Sequence, residues 1–288
     1  MTAWNSWLFA GLAGWSAMIA AGGQPALGAG NLETPWTKGH SYEVRLIAGS
    51  AARELGGPQR TYAAIEIRMS PGWKTYWRSP GDAGGMAPRF DWAGSSNLAS
   101  AEALYPAPKR YKDALGDAIG YSGSVLFPIE FRAKDKGKPV ELKLDMEFGV
   151  CREICVPAEA HLSLAIPPGT APPSSAIDQA LALVPRAQSD RLTKDPRLEK
   201  VMLRTEGGKP RLVIEATFPG SGSSADLFVE APDAIYLPVP KKVGQAPDSA
   251  SFEVDLSEYP EVPDLKGKAL TVTMVSGAGQ SEATWVLK

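Results

Sequence analysis

The feature that most constrains the fold is an alternation of apolar and polar residues that recurs along most of the chain. In each of several short segments every second residue is apolar, which in a β-strand places the apolar side chains on one face. Glycine and proline, with 29 and 25 residues, punctuate these segments as turn formers. In the first half the segments are 42–49, 61–69, 124–131, 140–148 and 160–166. We therefore predict an all-β chain that begins with an antiparallel β-sandwich of immunoglobulin type.

A proline-rich stretch at 167–175 interrupts the alternation and is a natural domain boundary. Ser175 and Asp178 resemble a capping box, which predicts a short helix that ends at Pro185. Strand patterning then resumes at 200–206, 211–218, 226–231, 269–275 and 283–288. The predicted organisation is a first sandwich over 30–168, a linker with the helix over 169–197, and a second, smaller β-sandwich over 198–288.

The first 29 residues differ from the rest because they are apolar, end in small residues and contain no charged side chain before Glu33. The apolar run of about 15 residues is shorter than the ~20 that a membrane span needs. We interpret residues 1–29 as a signal peptide cleaved near Ala29, which predicts an exported, periplasmic protein. The segment lacks the usual basic residue before the apolar run, so an uncleaved membrane anchor is the alternative interpretation.

The net charge of the chain is −2, so the sequence has no excess of basic residues with which to bind nucleic acid.

The two cysteines of the chain, Cys151 and Cys155, lie three residues apart. In an oxidising compartment such a pair normally forms a disulfide. A ring of about five residues stabilises a protein by only ~2 kcal/mol, so a structural bond is allowed but contributes little. Residues four apart in a continuous strand lie ~13 Å from each other, whereas a disulfide needs Cα atoms within ~7 Å. We therefore place the pair at the tip of a hairpin, where a short exposed ring is open to thiol exchange.

Metal binding is the main alternative chemistry for the pair. Only His161 is near in sequence and His40 is the other histidine, so a zinc site lacks a ligand. A copper-handling role that uses both cysteines with His161 or Met146 stays open. A binding or chaperone-like β module with a structural disulfide is the other alternative.

Five segments occur in an order and spacing that resemble the N-terminal periplasmic domain of the thiol:disulfide interchange protein DsbD, in the form found in suppressor-of-copper-sensitivity proteins. These segments are 71–84, 89–98, 104–111, 118–129 and 150–160. The resemblance implies an immunoglobulin-like fold whose cysteine pair carries electrons. It also implies partners, namely a membrane-embedded thiol reductase, thioredoxin-like proteins, and clients in disulfide isomerisation or cytochrome c maturation. The present sequence contains neither the membrane domain nor the thioredoxin-like domain, so the electron donor is expected to be a separate protein.

The resemblance assigns Cys151 and Cys155 as the exchanging pair, with Cys155 meeting partners and Cys151 resolving the mixed disulfide. It places a cap loop over the pair at 109–117. The shielding or supporting residues that it implies are Tyr76, Trp77, Tyr111, Asp113 and Leu115. We predict an exported thiol–disulfide exchange protein, as a component of a protein-disulfide reductase system, without cofactor, metal or small-molecule substrate.

Overall fold

The computed structural model describes residues 1–2, 32–52, 59–113, 116–169, 171–233, 235–259 and 265–288, and within this part residues 32–288 are nearly all β. The predicted signal segment and its cleavage site near Ala29 lie outside the described residues, apart from the first two. Among the residues described, no helix is both long and apolar enough to span a membrane.

In the part of the chain that the structure describes, eleven strands of the first half form two sheets. They are β1 (Thr37–Gly39), β2 (Tyr42–Ala51), β3 (Arg60–Met69), β4 (Lys74–Gly81), β5 (Arg89–Asp91), β6 (Leu98–Ala103), β7 (Lys109–Asp113), β8 (Gly116–Ser122), β9 (Ser124–Ala133), β10 (Val140–Cys151) and β11 (Cys155–Ile166). The first sheet has the order β1-β2-β3-β9-β6, and the second has the order β11-β10-β4-β8-β7, with β5 pairing to β10. We call these two antiparallel sheets the first sandwich.

The alternation in the sequence fills the core of this first sandwich. Strand β10 up to Phe148 and strand β11 from Ala158 bury every second side chain, and the buried apolar residues of both sheets form one cluster. Phe127, Leu142 and Phe148 are fully buried in it, and each such side chain contributes about 1.5–3 kcal/mol of hydrophobic stabilisation. The predicted immunoglobulin-like sandwich is therefore confirmed.

Strand β3 is buried on both faces because a helix covers its outer side. The helix α1 (Ser175–Ala182) buries Ile177 and Leu181 against the outward-facing side chains of β2 and β3. Its N-cap is Ser174, whose hydroxyl accepts a hydrogen bond from the Ile177 amide at 3.4 Å. The prediction of Ser175 as the cap was wrong by one residue, because the chain becomes helical at Ser175 itself.

Among the described residues that follow, eight further strands form the second sandwich. They are β12 (Arg186–Ala187), β13 (Arg197–Glu206), β14 (Lys209–Thr217), β15 (Asp226–Glu230), β16 (Lys241–Ala246), β17 (Ser249–Asp255), β18 (Ala269–Val275) and β19 (Gln280–Val286). Their sheets have the orders β12-β19-β18-β15 and β13-β14-β17-β16 and enclose a second apolar cluster. The 3-10 turns Gln188–Asp190 and Gly222–Ser224 lie among these strands.

The two sandwiches contact each other directly. Phe228 of β15 and Val239 are buried in the core cluster of the first sandwich, and the Phe228 ring lies 5.7 Å from the Trp77 ring. Arg78 on β4 makes three hydrogen bonds to Glu230, one at 2.7 Å and two at 3.0 Å, and also contacts Glu282. Residues 31–288 accordingly form one compact unit. The domain limits expected from the sequence, at 168 and 198, stay a prediction.

Candidate functional site

The two cysteines face each other across the tip of the longest hairpin. Strands β10 and β11 pair without a register shift from Val140 opposite Ile166 to Cys151 opposite Cys155. The cysteines are joined by a disulfide and their Cα atoms are 4.1 Å apart. Residues 152–154 make the turn, and the Arg152 amide donates to the Ile154 carbonyl at 3.2 Å. The predicted hairpin position of the pair is confirmed.

The two sulfur-bearing residues differ sharply in exposure. Cys151 is 4% exposed and lies in a small apolar cluster with Tyr76 and Ala118. Cys155 is an exposed residue, and its neighbour Ile154 has 72% of its surface open to solvent. A thiol that approaches from outside therefore meets Cys155 before Cys151.

Tyr76 contacts both sulfurs through its hydroxyl group. The Oη atom lies 2.8 Å from Sγ of Cys151 and 2.9 Å from Sγ of Cys155. Because the sulfurs of a disulfide carry no hydrogen, the hydroxyl is the donor in both contacts. When reduction places negative charge on either sulfur, the same hydroxyl stabilises that charge by a charge-assisted hydrogen bond.

Two glycines make room for the Tyr76 ring. A Cβ atom built on Gly85 would lie 2.2–2.5 Å from ring atoms of Tyr76, and one on Gly149 would lie 3.1 Å away. The Gly149 amide donates to the Met86 carbonyl at 3.0 Å, which holds the loop 82–86 against β10. The absence of a side chain at both positions therefore lets the ring pack where it does, and this sets the position of the hydroxyl.

The surroundings of Tyr76 keep its hydroxyl protonated. Burial is the main cause that raises the pKa of Tyr76 above its ordinary value of 10.0, and the negative charge of Asp113 adds to the effect. The side chain is only 6% exposed. At neutral pH Tyr76 is thus a hydrogen-bond donor to the sulfurs.

The segment expected to form a cap loop is a hairpin instead. Residues 109–113 form β7, residues 116–122 form β8, and β7 is the edge strand of the second sheet. Tyr111 packs against the Cys151 cluster, and its hydroxyl donates to Ser122 Oγ at 3.0 Å. Lys74 lies between the two other candidates, since its Nζ is 3.5 Å from Asp113 Oδ2 and 5.5 Å from the Tyr111 ring centroid. Leu115 lies outside the described residues.

Trp77 lies away from the sulfurs. Successive side chains of a strand point to opposite faces, so Trp77 faces the core when Tyr76 faces the disulfide. It is 1% exposed and packs against Phe228, with the Arg78 guanidinium 4.5 Å above its ring. The structure thus groups Tyr76, Tyr111 and Asp113 around the pair and places Trp77 at the contact between the sandwiches.

The residues of the copper alternative are not grouped. Cys155 and His161 are six residues apart on one strand, which corresponds to about 20 Å. His161 bonds instead to Asp145, with Nδ1 2.6 Å from Oδ1, and Met146 is buried in the core. Within the part of the chain that the structure describes, no group of three His, Cys, Asp or Glu side chains is placed to hold a metal ion.

Sequence reasoning missed the glycine pair beside Tyr76 and the position of Lys74 between Asp113 and Tyr111. The only signal for the former was the doubled glycine at 84–85, which reads first as a turn. Gly149 gave no signal, because a glycine inside a strand is as compatible with a bulge as with close packing.

The fold and the site together define a class, namely an immunoglobulin-like β protein with a disulfide at a hairpin tip, one sulfur presented to solvent and the other held under a tyrosine. Residues 43–167 match the family model described as thiol:disulfide interchange protein DsbD, N-terminal, which confirms the resemblance seen in the sequence.

A solved structure shares the fold over most of the chain. The crystal structure of the N-terminal periplasmic domain of ScsB from Proteus mirabilis aligns with a TM-score of 0.67 and 21% identity, over 89% of this chain and 98% of that chain. A share of 89% includes much of the second sandwich, so the likeness extends beyond the residues matched by the family model. Bovine butyrophilin aligns with a TM-score of only 0.20 and 10% identity, over 79% of this chain and 91% of that chain. No curated protein sequence matches the chain.

Proposed function

We propose that this chain is an exported thiol–disulfide exchange protein that passes electrons between thioredoxin-like partners through Cys151 and Cys155. One observation supports this most directly. The disulfide lies at an exposed hairpin tip with Cys155 open to solvent, while Cys151 contacts a tyrosine hydroxyl suited to stabilise a leaving thiolate. The match of residues 43–167 to a thiol:disulfide interchange family supports the same chemistry.

The exchange runs in two steps. A partner thiolate attacks Sγ of Cys155, a new S–S bond forms, and the electron pair of the old bond goes to Sγ of Cys151, which accepts a hydrogen bond from Tyr76. A second thiolate of the partner then attacks its own sulfur in the mixed disulfide and releases Cys155. The partner leaves as a disulfide and both cysteines are reduced, so two electrons have been transferred. Delivery to a client is the reverse sequence.

The partners that we propose follow from the chemistry of the family and its location. The donor is a thioredoxin-like domain linked to a membrane-embedded reductase, and the clients are oxidoreductases of disulfide isomerisation or cytochrome c maturation. In this proposal the protein acts in the periplasm after removal of residues 1–29. Residues 30–168 form the redox domain, and residues 198–288 form a second domain that contacts it.

Trapping of mixed disulfides tests the proposal. In the Cys151→Ser variant, Cys155 is expected to keep a thioredoxin-like partner covalently attached, because the resolving sulfur is missing. The Cys155→Ser variant retains only the buried sulfur and is expected to trap much less. The adducts are separated without reductant and identified by mass spectrometry.

The alternative is a structural disulfide in a binding module. It predicts that neither variant traps a partner and that the reduction potential of the pair lies below about −300 mV, where structural bonds resist the thiol pool. Those two results together would refute the exchange function.

A further inference from the structure

The buried cysteine lies beneath a cover made of two chain segments. We define the cover as the loop 82–86 together with the paired strands β7 and β8. Ala83 of the loop and Tyr111 of the hairpin both pack against the cluster of Tyr76, Ala118 and Cys151. The Ala83 amide also donates to the Asp117 carbonyl at 3.2 Å, so the loop and the hairpin are joined.

The loop of the cover is tied to the second sandwich through Asp82. Its Oδ1 atom accepts a hydrogen bond from the Tyr236 hydroxyl at 2.6 Å and another from the Val239 amide at 2.8 Å. The Val239 side chain is buried in the core of the first sandwich, which fixes its amide in place. One carboxylate of the cover is therefore held by two donors that belong to the chain beyond residue 230.

The hairpin of the cover is tied to the second sandwich through Arg110. Its guanidinium donates to both carboxylate oxygens of Asp226, the first residue of β15, at 2.6 and 3.1 Å. The same group donates to Asp117 on β8 at 2.7 Å. This forked pairing fixes orientation as well as distance, and Arg110 is mostly shielded from solvent.

Each segment of the cover is thus hydrogen-bonded through a charged side chain to residues beyond the first sandwich. Neither Asp82 nor Arg110 forms its hydrogen bonds with a sulfur. A segment that is tied in this way opens only when its hydrogen bonds break, which lowers the population of open forms. We propose that the second sandwich clamps the cover over Cys151 and so restricts external thiols to Cys155. The inference rests on the proposed exchange function for its consequence, because it makes Cys155 the sulfur that every partner meets first.

Alkylation of Cys151 tests the clamp without any partner protein. The full chain carries Cys155→Ser, so that Cys151 is the single thiol, and its reaction with iodoacetamide is followed by mass spectrometry. Asp82→Ala or Asp226→Ala, added to this parent, is expected to speed the alkylation about tenfold, the effect of losing one hydrogen-bonded charged group on an opening equilibrium. Asp82→Asn keeps an oxygen for both donors and is expected to restore a rate near that of the parent.

Two controls separate the clamp from general loosening. Glu230→Ala removes a contact of Arg78 between the sandwiches that does not touch the cover, and it is expected to change the rate less than twofold. In a Cys151→Ser parent, Asp82→Ala is expected to leave the alkylation of the exposed Cys155 unchanged, because that residue is already open to solvent.

Parent-like rates in both Asp82→Ala and Asp226→Ala would overturn the clamp, and so would an equal acceleration by Glu230→Ala. If one alanine variant fails to fold, as judged by its urea midpoint, the other together with Asp82→Asn still decides. Failure to trap any partner would count against the exchange function and would leave the alkylation result standing, so the two ideas fail separately.

Discussion

Removal of the Tyr76 hydroxyl tests the chemistry of the site most directly. In Tyr76→Phe the ring keeps its packing against Gly85 and Gly149, and only the atom that lies 2.8 and 2.9 Å from the two sulfurs is lost. The residue is 6% exposed, so water does not readily replace the missing donor. The substitution therefore removes the hydroxyl contacts to the two sulfurs and little else.

The size of the effect follows from where charge develops. As the disulfide breaks, the leaving sulfur becomes anionic, and a hydrogen bond to a charged group is worth about 1.5–3 kcal/mol. The hydroxyl already bonds to the disulfide sulfurs, although sulfur is a weak acceptor, so the difference between ground state and transition state is about 1.5–2 kcal/mol. Since 1.36 kcal/mol corresponds to a factor of ten, we expect reduction of Tyr76→Phe to be about 10–30 times slower.

The assay is the pseudo-first-order reduction of the purified oxidised protein by dithiothreitol, quenched with acid and quantified by mass. Tyr111→Phe is the matched control, because its hydroxyl bonds to Ser122 and not to a sulfur. The pKa of Tyr76 is raised above 10.0, so the ratio of wild-type to variant rates should stay constant from about pH 6 to about pH 9. A Tyr76→Phe rate within twofold of the wild-type rate, or an equal loss in Tyr111→Phe, would show that the hydroxyl does not stabilise the leaving sulfur.

Two further predictions concern stability and protonation. Gly85→Ala places a Cβ against the Tyr76 ring at a positive φ of 139°, and it should lower the free energy of unfolding by more than the ~1–3 kcal/mol of backbone strain alone. Gly84→Ala, at φ 70° with open space around it, should lose only the strain, and equal urea midpoints for the two variants would contradict this account. The hydrogen bond to Asp145 raises the pKa of His161, so the charged pair adds stability below the ordinary histidine pKa and loses it as pH rises through the raised value. Asp145→Asn should lower the midpoint of the His161 proton NMR titration, and an unchanged midpoint would exclude the pair.

The alternating strands were predictable because their physics is local. Over most of β10 and β11 one face of the strand contacts the core and the other contacts water. Apolar and polar residues therefore alternate along these strands, and the alternation is visible in the sequence. Strand β18 was predicted with its observed bounds of Ala269–Val275 for the same reason. The hairpin tip at Cys151 and Cys155 also followed from local geometry, since two sulfurs four residues apart bond only across a bend.

Strands β4 to β8 were not predicted because their sequences do not show a clear alternation of apolar and polar residues. The residues of β8 are buried on both faces at 118–121, and β6 is made of small residues with little contrast. The segment 109–117 was therefore interpreted as a loop, although its first five residues pair with β8. A strand is buried on both faces only when other segments pack against its outer face, and those segments are distant in sequence.

The candidate site also has a part that the sequence predicts and a part that it does not. The disulfide and the tyrosine beside it belong to a single sheet, and a resemblance in sequence was enough to group Tyr76, Tyr111 and Asp113 with the cysteines. Trp77 was grouped with them as well, but one step along a strand turns a side chain to the other face, where it meets Phe228 of the second sandwich. A neighbour in sequence is thus a poor guide to a neighbour in a sheet.

The ties between the sandwiches connect the surroundings of the disulfide to residues far along the chain. Asp82 and Arg110 are each next in sequence to a residue that packs against the Cys151 cluster. Their partners are Tyr236, Val239 and Asp226, more than a hundred residues later. Such pairs carry no local signal, because an aspartate in a glycine-rich turn is accounted for by the turn alone. The chemistry of the disulfide is set by its own hairpin and by Tyr76, whereas the difference in access between its two sulfurs is maintained from the second sandwich.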